Sequence, residues 1–119
     1  AYARATAIYE EAGDKEGLSA ALNSLGAIAF DKGDHAKARE HLDRSLQAAR
    51  DVSAREGEAF ALGMWGEIAE AEGARSEAIR FYRDAMMVYE QIGMPLLAAP
   101  YRDMLKRLGA KPHPEGPEN

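Results

Sequence analysis

The chain repeats itself every forty residues, and that period constrains the fold more than any other feature. Residues 14–53 laid over 54–93 match in order: Glu16 on Glu56, Gly17 on Gly57, Ala21 on Ala61, Leu22 on Leu62. The matches continue with Gly26 on Gly66, Ala29 on Ala69, Gly33 on Gly73 and Ala38 on Ala78. The first residues join the same ladder eighty positions earlier, with Tyr2 over Tyr82, Tyr9 over Tyr89 and Gly13 over Gly93. A fixed period of this size means stacked supersecondary units, each burying its apolar face on its neighbours.

Within each unit the apolar spacing is three and four, and glycine-containing turns punctuate it. The pattern predicts an all-α protein with no strand. A first helix over residues 1–12 carries Tyr2, Ala5, Ile8 and Tyr9 on one face and stops at Gly13. Asp14 caps a second helix that runs to Lys32, and Asp34 caps a third. Ser53-Ala54-Arg55-Glu56 has the spacing of a capping box and is expected to open the fourth helix. The fifth begins at Ser76 with Ala78, Ile79, Tyr82, Ala85, Met86 and Tyr89 inward. Pro95 suits the first turn of a sixth, while Pro100 is expected to kink that helix or delay its start. The expected division is a helical repeat domain over 1–109, made of a half-repeat 1–13, repeats 14–53 and 54–93, and a C-terminal helix 94–109. Residues 110–119, acidic and rich in proline, are expected to form a mobile tail. The chain opens at Ala1 inside a helix and is read as a fragment of something longer on its N-terminal side.

A net charge of −5 and a pI near 5.2 oppose a nucleic-acid or anionic-membrane surface. With no cysteine, disulfides and thiolate metal sites are excluded, which fits a cytosolic protein. No apolar run reaches the roughly 18 residues of a membrane span.

The marks inside each repeat resemble the tetratricopeptide repeat: Leu22, Leu25-Gly26, Gly33 and Ala38, then Leu62, Trp65-Gly66, Gly73 and Ala78. Gly26 and Gly66 remove side chains where paired helices cross. The resemblance covers roughly residues 1–109 and implies a right-handed α-solenoid of antiparallel helix pairs. The family's usual period is about 34 residues, so these helices are longer by about a turn and a half. That longer variety, with the linker Gly13-Asp14-Lys15-Glu16-Gly17, is similar to repeats in large bacterial signalling regulators and in eukaryotic spindle-orientation adaptors.

The reactive residue types do not assemble into a catalytic or metal-binding pattern. His35 and His41 lie six apart on one helix, on different faces, against the i, i+4 spacing that suits a metal; His113 lies in the tail. Glu67 and Glu70 lack a partner constellation for hydrolysis. Nucleophile motifs, phosphate-binding glycine loops and calcium loops are absent. No cofactor, metal or catalytic residue is expected. Trp65 takes the register position of Leu25 and is assigned to packing.

The resemblance implies a non-catalytic interaction module whose first helices line a concave groove. Family positions one, four, eight and eleven after each repeat start give Ala20, Asn23, Ala27 and Phe30, then Phe60, Gly63, Glu67 and Glu70, then Pro100, Asp103 and Arg107. This groove is apolar at Phe30 and Phe60 and acidic at Glu67, Glu70 and Asp103, with small residues at Ala20, Ala27 and Gly63 leaving room for a ligand backbone. The lysine–asparagine–arginine clamp that some members close on a C-terminal carboxylate is missing. The expected partner is a protein or peptide, as a basic or amphipathic helix. An alternative is the structural or self-association arm of a larger signal-transducing ATPase or transcriptional regulator. Homodimerisation is expected through the face around Tyr2, Ile8 and Tyr9.

Overall fold

The computed structural model describes residues 2–113, and these form six α-helices joined by short turns. They are α1 (Tyr2–Ala12), α2 (Lys15–Asp31), α3 (His35–Asp51), α4 (Arg55–Ala71), α5 (Arg75–Gln91) and α6 (Pro95–Arg107). The four central helices have 17 residues each, which with three-residue turns gives half of the forty-residue period. The described residues contain no strand.

Each turn reverses the chain through one residue in the left-handed region: Gly13, Gly33, Ser53, Gly73 and Gly93, with φ between 55° and 80°. The residue after it returns a backbone bond five positions back, as in Asp34 N to Ala29 O at 2.9 Å and Ala54 N to Ala49 O at 2.8 Å. This closure satisfies carbonyls that the helix end leaves open.

Ser53 corrects the capping-box expectation. It occupies the glycine column at φ 55°, and α4 is capped by Ala54 with no side-chain hydrogen bond. A serine there costs on the order of 1 kcal/mol against glycine. Asp14 and Asp34 do cap as expected, accepting from Gly17 N at 2.9 Å and Lys37 N at 3.1 Å. Helix α5 begins at Arg75, one residue earlier than expected. Helix α6 starts at Pro95 and runs through Pro100; with Pro100 exposed, only one helical bond, to Leu96 O, is forfeited.

Helix α2 packs chiefly on α3 and α4 on α5, with α1 seating against α2, α4 against α3 and α6 against α5, and α2 also touches α4. First helices therefore neighbour one another. The molecule measures 49 × 31 × 19 Å, and its shortest axis is about two helix diameters. The core runs from Ala29, Ala38, Leu42 and Ile68 to Tyr82, Met86 and Leu105, all buried, with Leu46 packed against both groups. At the pair crossings, a Cβ on Gly26 would come within 2.8 Å of Leu42, and one on Gly66 within 2.6 Å of the Tyr82 ring. Trp65 is half-buried, stacked on Phe81 with centroids 5.8 Å apart.

Residues 110–113 lie against the fold, where a solvent-exposed tail was expected from residue 110. Ala110 packs on the core, Arg83 donates to the Lys111 carbonyl at 2.7 Å, and His113 Nε2 lies 2.9 Å from Glu90. Residues 114–119 of the expected tail fall outside the described residues. At the other end Tyr2 and Ile8 are 45% and 57% exposed, while Tyr9 is half-buried.

Candidate binding groove

Helices α2, α4 and α6 present one shared face, and the four family positions behave differently on it. Position one is open: Ala20, Phe60 and Pro100 are all exposed. Position four is a junction between repeats. Asn23 is 6% exposed; its Nδ2 donates to Gly57 O at 3.2 Å and its Oδ1 lies 2.6 Å from Ser45 Oγ. Ser45 Oγ also lies 3.0 Å from both Ser19 O and Ser19 Oγ, so its one proton is shared among alternatives.

Gly63 holds the same register position in the second repeat and is buried. It leaves no room for a ligand backbone, because Tyr101 fills that space and a Cβ on Gly63 would collide with the Tyr101 hydroxyl and ring. Tyr101 in turn stacks on Tyr89 at 6.0 Å and tilts against Tyr82 at 5.9 Å. Burial raises the Tyr101 phenol above the usual range, with Tyr89 and Glu67 adding to it. Asp103, third in this column, is exposed.

Positions eight and eleven carry the charge. Ala27 and Phe30 are half-buried against the core, and Phe30 stacks on His35 with centroids 5.4 Å apart. Glu70 accepts from Tyr82 Oη at 2.7 Å and from both Arg107 nitrogens, at 2.6 and 3.2 Å. Those bonds hold its carboxyl below the usual range, Arg107 first and Tyr82 second. Glu70 is thus internally neutralised, and Arg107 is spent on it. Glu67 differs. It is half-buried, burial raises its carboxyl, and Asp31 and Glu70 push it further the same way. It has no hydrogen bond or ion pair among the described residues.

The face therefore brings Glu67, Glu70 and Arg107 together and leaves Asp103 apart. It also holds a cavity that the family positions mark only in part. The cavity, about 540 Å³, lies between the start of α2 and the start of α4. Glu16, Glu56 and the turn at Ser53 join Ala20, Asn23 and Phe60 in lining it. The signal in the sequence was the register match of Glu16 on Glu56, which served only to establish the repeat. Among the described residues no group of three or more His, Asp or Glu side chains could hold a metal ion, and no helix is long and apolar enough to cross a membrane.

A family profile described as the tetratricopeptide repeat matches residues 1–51 and 17–91, most of the chain. The chain belongs to the tetratricopeptide-repeat family. Tetratricopeptide repeats generally mediate protein–protein interaction and are typically non-catalytic. Neither a curated protein nor a solved structure matches the chain significantly. The forty-residue spacing, the left-handed turn residue every twenty positions and the two glycine crossings are the tetratricopeptide helix pair in lengthened form.

Proposed function

We propose that the face of α2, α4 and α6 binds a partner protein through a basic or amphipathic helical segment, with Asn23, Ala27, Phe30, Phe60, Gly63, Glu67, Glu70, Asp103 and Arg107 as its setting. Within that set Phe60, Glu67 and Asp103 are the contact residues, and Asn23, Gly63, Glu70 and Arg107 shape the face from below or beside it. The observation that carries this reading is Glu67, a half-buried carboxylate with no partner and with two acids near it. Such a group gains most from a cation brought by a ligand, since the desolvation is already suffered and the pairing is not yet made. A pull-down from native lysate with the wild type beside Glu67→Lys tests it. A partner lost from the variant, and lost as salt rises, is the expected result; partners retained equally by both contradict it.

A second reading is self-association, as the arm of a larger signal-transducing ATPase or transcriptional regulator in a bacterial cytosol. The exposure of Tyr2 and Ile8 on α1 supports it, because a second copy packed there would remove that apolar area from water. Sedimentation velocity of the wild type and of Ile8→Glu decides it: a dimer lost from the variant favours this reading, and a monomer in both removes it.

A further inference from the structure

The cavity between the starts of α2 and α4 extends beyond the residues assigned above, and its chemistry names a more specific occupant. Its floor is closed to new hydrogen bonds for the most part, because Ser19 and Asn23 turn their polar atoms inward to Ser45 and Gly57 O. Its wall carries Phe60, 37% exposed. Its rim carries Glu16 and Glu56, one repeat apart, neither with a hydrogen bond or ion pair among the described residues.

Among the described residues the one cation in the lining, Arg55, is already engaged. Arg55 donates to Glu58 at 2.8 Å and to Gln91 at 2.5 Å. The N-termini of α2 and α4 each contribute a partial positive charge of roughly half a unit. Glu58 is shared between Arg55 and Arg50, and the unpaired charges in the lining are the carboxylates of Glu16 and Glu56. Those two carboxylates oppose an anionic ligand, the usual occupant of a helix N-terminus.

The same row of the repeat continues onto α6 with different chemistry. Forty residues beyond Glu56 and Gly57 stand Leu96 and Leu97, 87% and 43% exposed. Across the three first helices the row therefore runs acid, acid, leucine.

Resting on the groove reading, we propose that this cavity anchors a lysine or arginine side chain of the bound segment, which continues across α4 and sets an apolar side chain over Leu96. A basic side chain is amphipathic along its length. Its methylene stem packs on Phe60 and Ala20 while its charged end meets Glu16 and Glu56. A volume near 540 Å³ accommodates one such side chain with part of its backbone.

The test uses 12-residue peptides selected by display on the intact chain, then synthesised and titrated by fluorescence anisotropy. Titrations run against the wild type, Glu67→Lys and the double variant Glu16→Gln/Glu56→Gln. Both glutamates are exposed, and circular dichroism checks that the variants fold. The expected peptides carry a lysine or arginine together with an apolar residue and bind the double variant roughly tenfold more weakly. Replacing the peptide's basic residue by glutamine abolishes the difference between the two proteins. Peptides weakened by Glu67→Lys yet indifferent to the double variant overturn the anchor and leave the groove standing. Peptides indifferent to every variant, or no binding peptide at all, overturn the groove reading and the anchor with it.

Discussion

The two full repeats, α2–α3 and α4–α5, share a register and seal their junctions by opposite means. In the first, Ser19, Asn23 and Ser45 form a buried hydrogen-bonded set that reaches across to Gly57 of the next repeat. In the second, the same three columns hold Ala59, Gly63 and Ala85, and the vacated space is filled by Tyr101 from the next first helix. The pair crossings follow suit, with Leu42 against Gly26 and Tyr82 against Gly66. One backbone solution tolerates a polar seal or an aromatic one, provided each is complete. Ser19 and Asn23 of the polar seal line the cavity between α2 and α4, whereas Tyr101 fills the space over Gly63.

Removing the aromatic seal is the largest expected break in this comparison. Tyr101→Ala uncovers Gly63 and deletes two ring contacts, and is expected to cost about 3 kcal/mol by urea denaturation. The equivalent truncation in the first junction, Asn23→Ala, is expected to cost about 1–2 kcal/mol. Equal losses would erase the distinction between the two junctions.

A smaller effect sharpens the polar side. Ser45→Ala strips a hydroxyl from both Asn23 and Ser19, at an expected cost of about 1–2 kcal/mol. Combined with Asn23→Ala the loss should fall short of the sum by about 0.5 kcal/mol or more, since the two act as one network. Strict additivity in thermal or urea melts would mean that the network is a set of independent bonds.

The two groove glutamates give the smallest effects and opposite signs, each expected below about 1 kcal/mol because both keep contact with solvent. The Glu67 carboxyl is raised above its ordinary 4.5 by burial. Its folded form favours the proton, so its contribution is fully present below the unfolded value and is lost as pH rises through the folded one. Glu67→Gln should therefore raise Tm at pH 7 and leave it little changed near pH 4. The Glu70 carboxyl is lowered by Arg107 and Tyr82. Its stabilisation is present above the unfolded value and fades as pH falls through the folded one. Glu70→Gln should lower Tm at pH 7 and converge with the wild type in acid. Shifts of the same sign for the two variants would contradict the assigned environments.

The periodic features were legible in the sequence, and the features set by distant neighbours were not. The turns at Gly13, Gly33, Gly73 and Gly93, the caps at Asp14 and Asp34 and the crossings at Gly26 and Gly66 all depend on residues within one unit. Ser53 was misread because Ser53-Ala54-Arg55-Glu56 satisfies a local capping rule, while the twenty-residue turn period assigns it to the glycine column. Gly63 looked like open space because Tyr101, which fills it, stands in a column that holds alanine at Ala21 and Ala61. The charge on Glu70 was visible, but its neutralisation comes from Arg107, on the next first helix. Glu16 and Glu56 sat in view as a repeat match, yet only the placement of the Ser53 turn and Phe60 beside them makes a cavity.

A partner received on the face of the first helices must touch α2 and α6 and not the outer faces of α3 and α5. A photo-crosslinking scan in native lysate tests this most directly, with a benzophenone side chain placed singly at Ala20 and Asp103 on that face and at Glu40 and Arg80 on α3 and α5. All four positions are exposed, so reactivity reports location rather than accessibility. The account predicts one shared crosslinked partner from Ala20 and Asp103 and none from Glu40 or Arg80. A partner captured from Glu40 and Arg80 alone would contradict it.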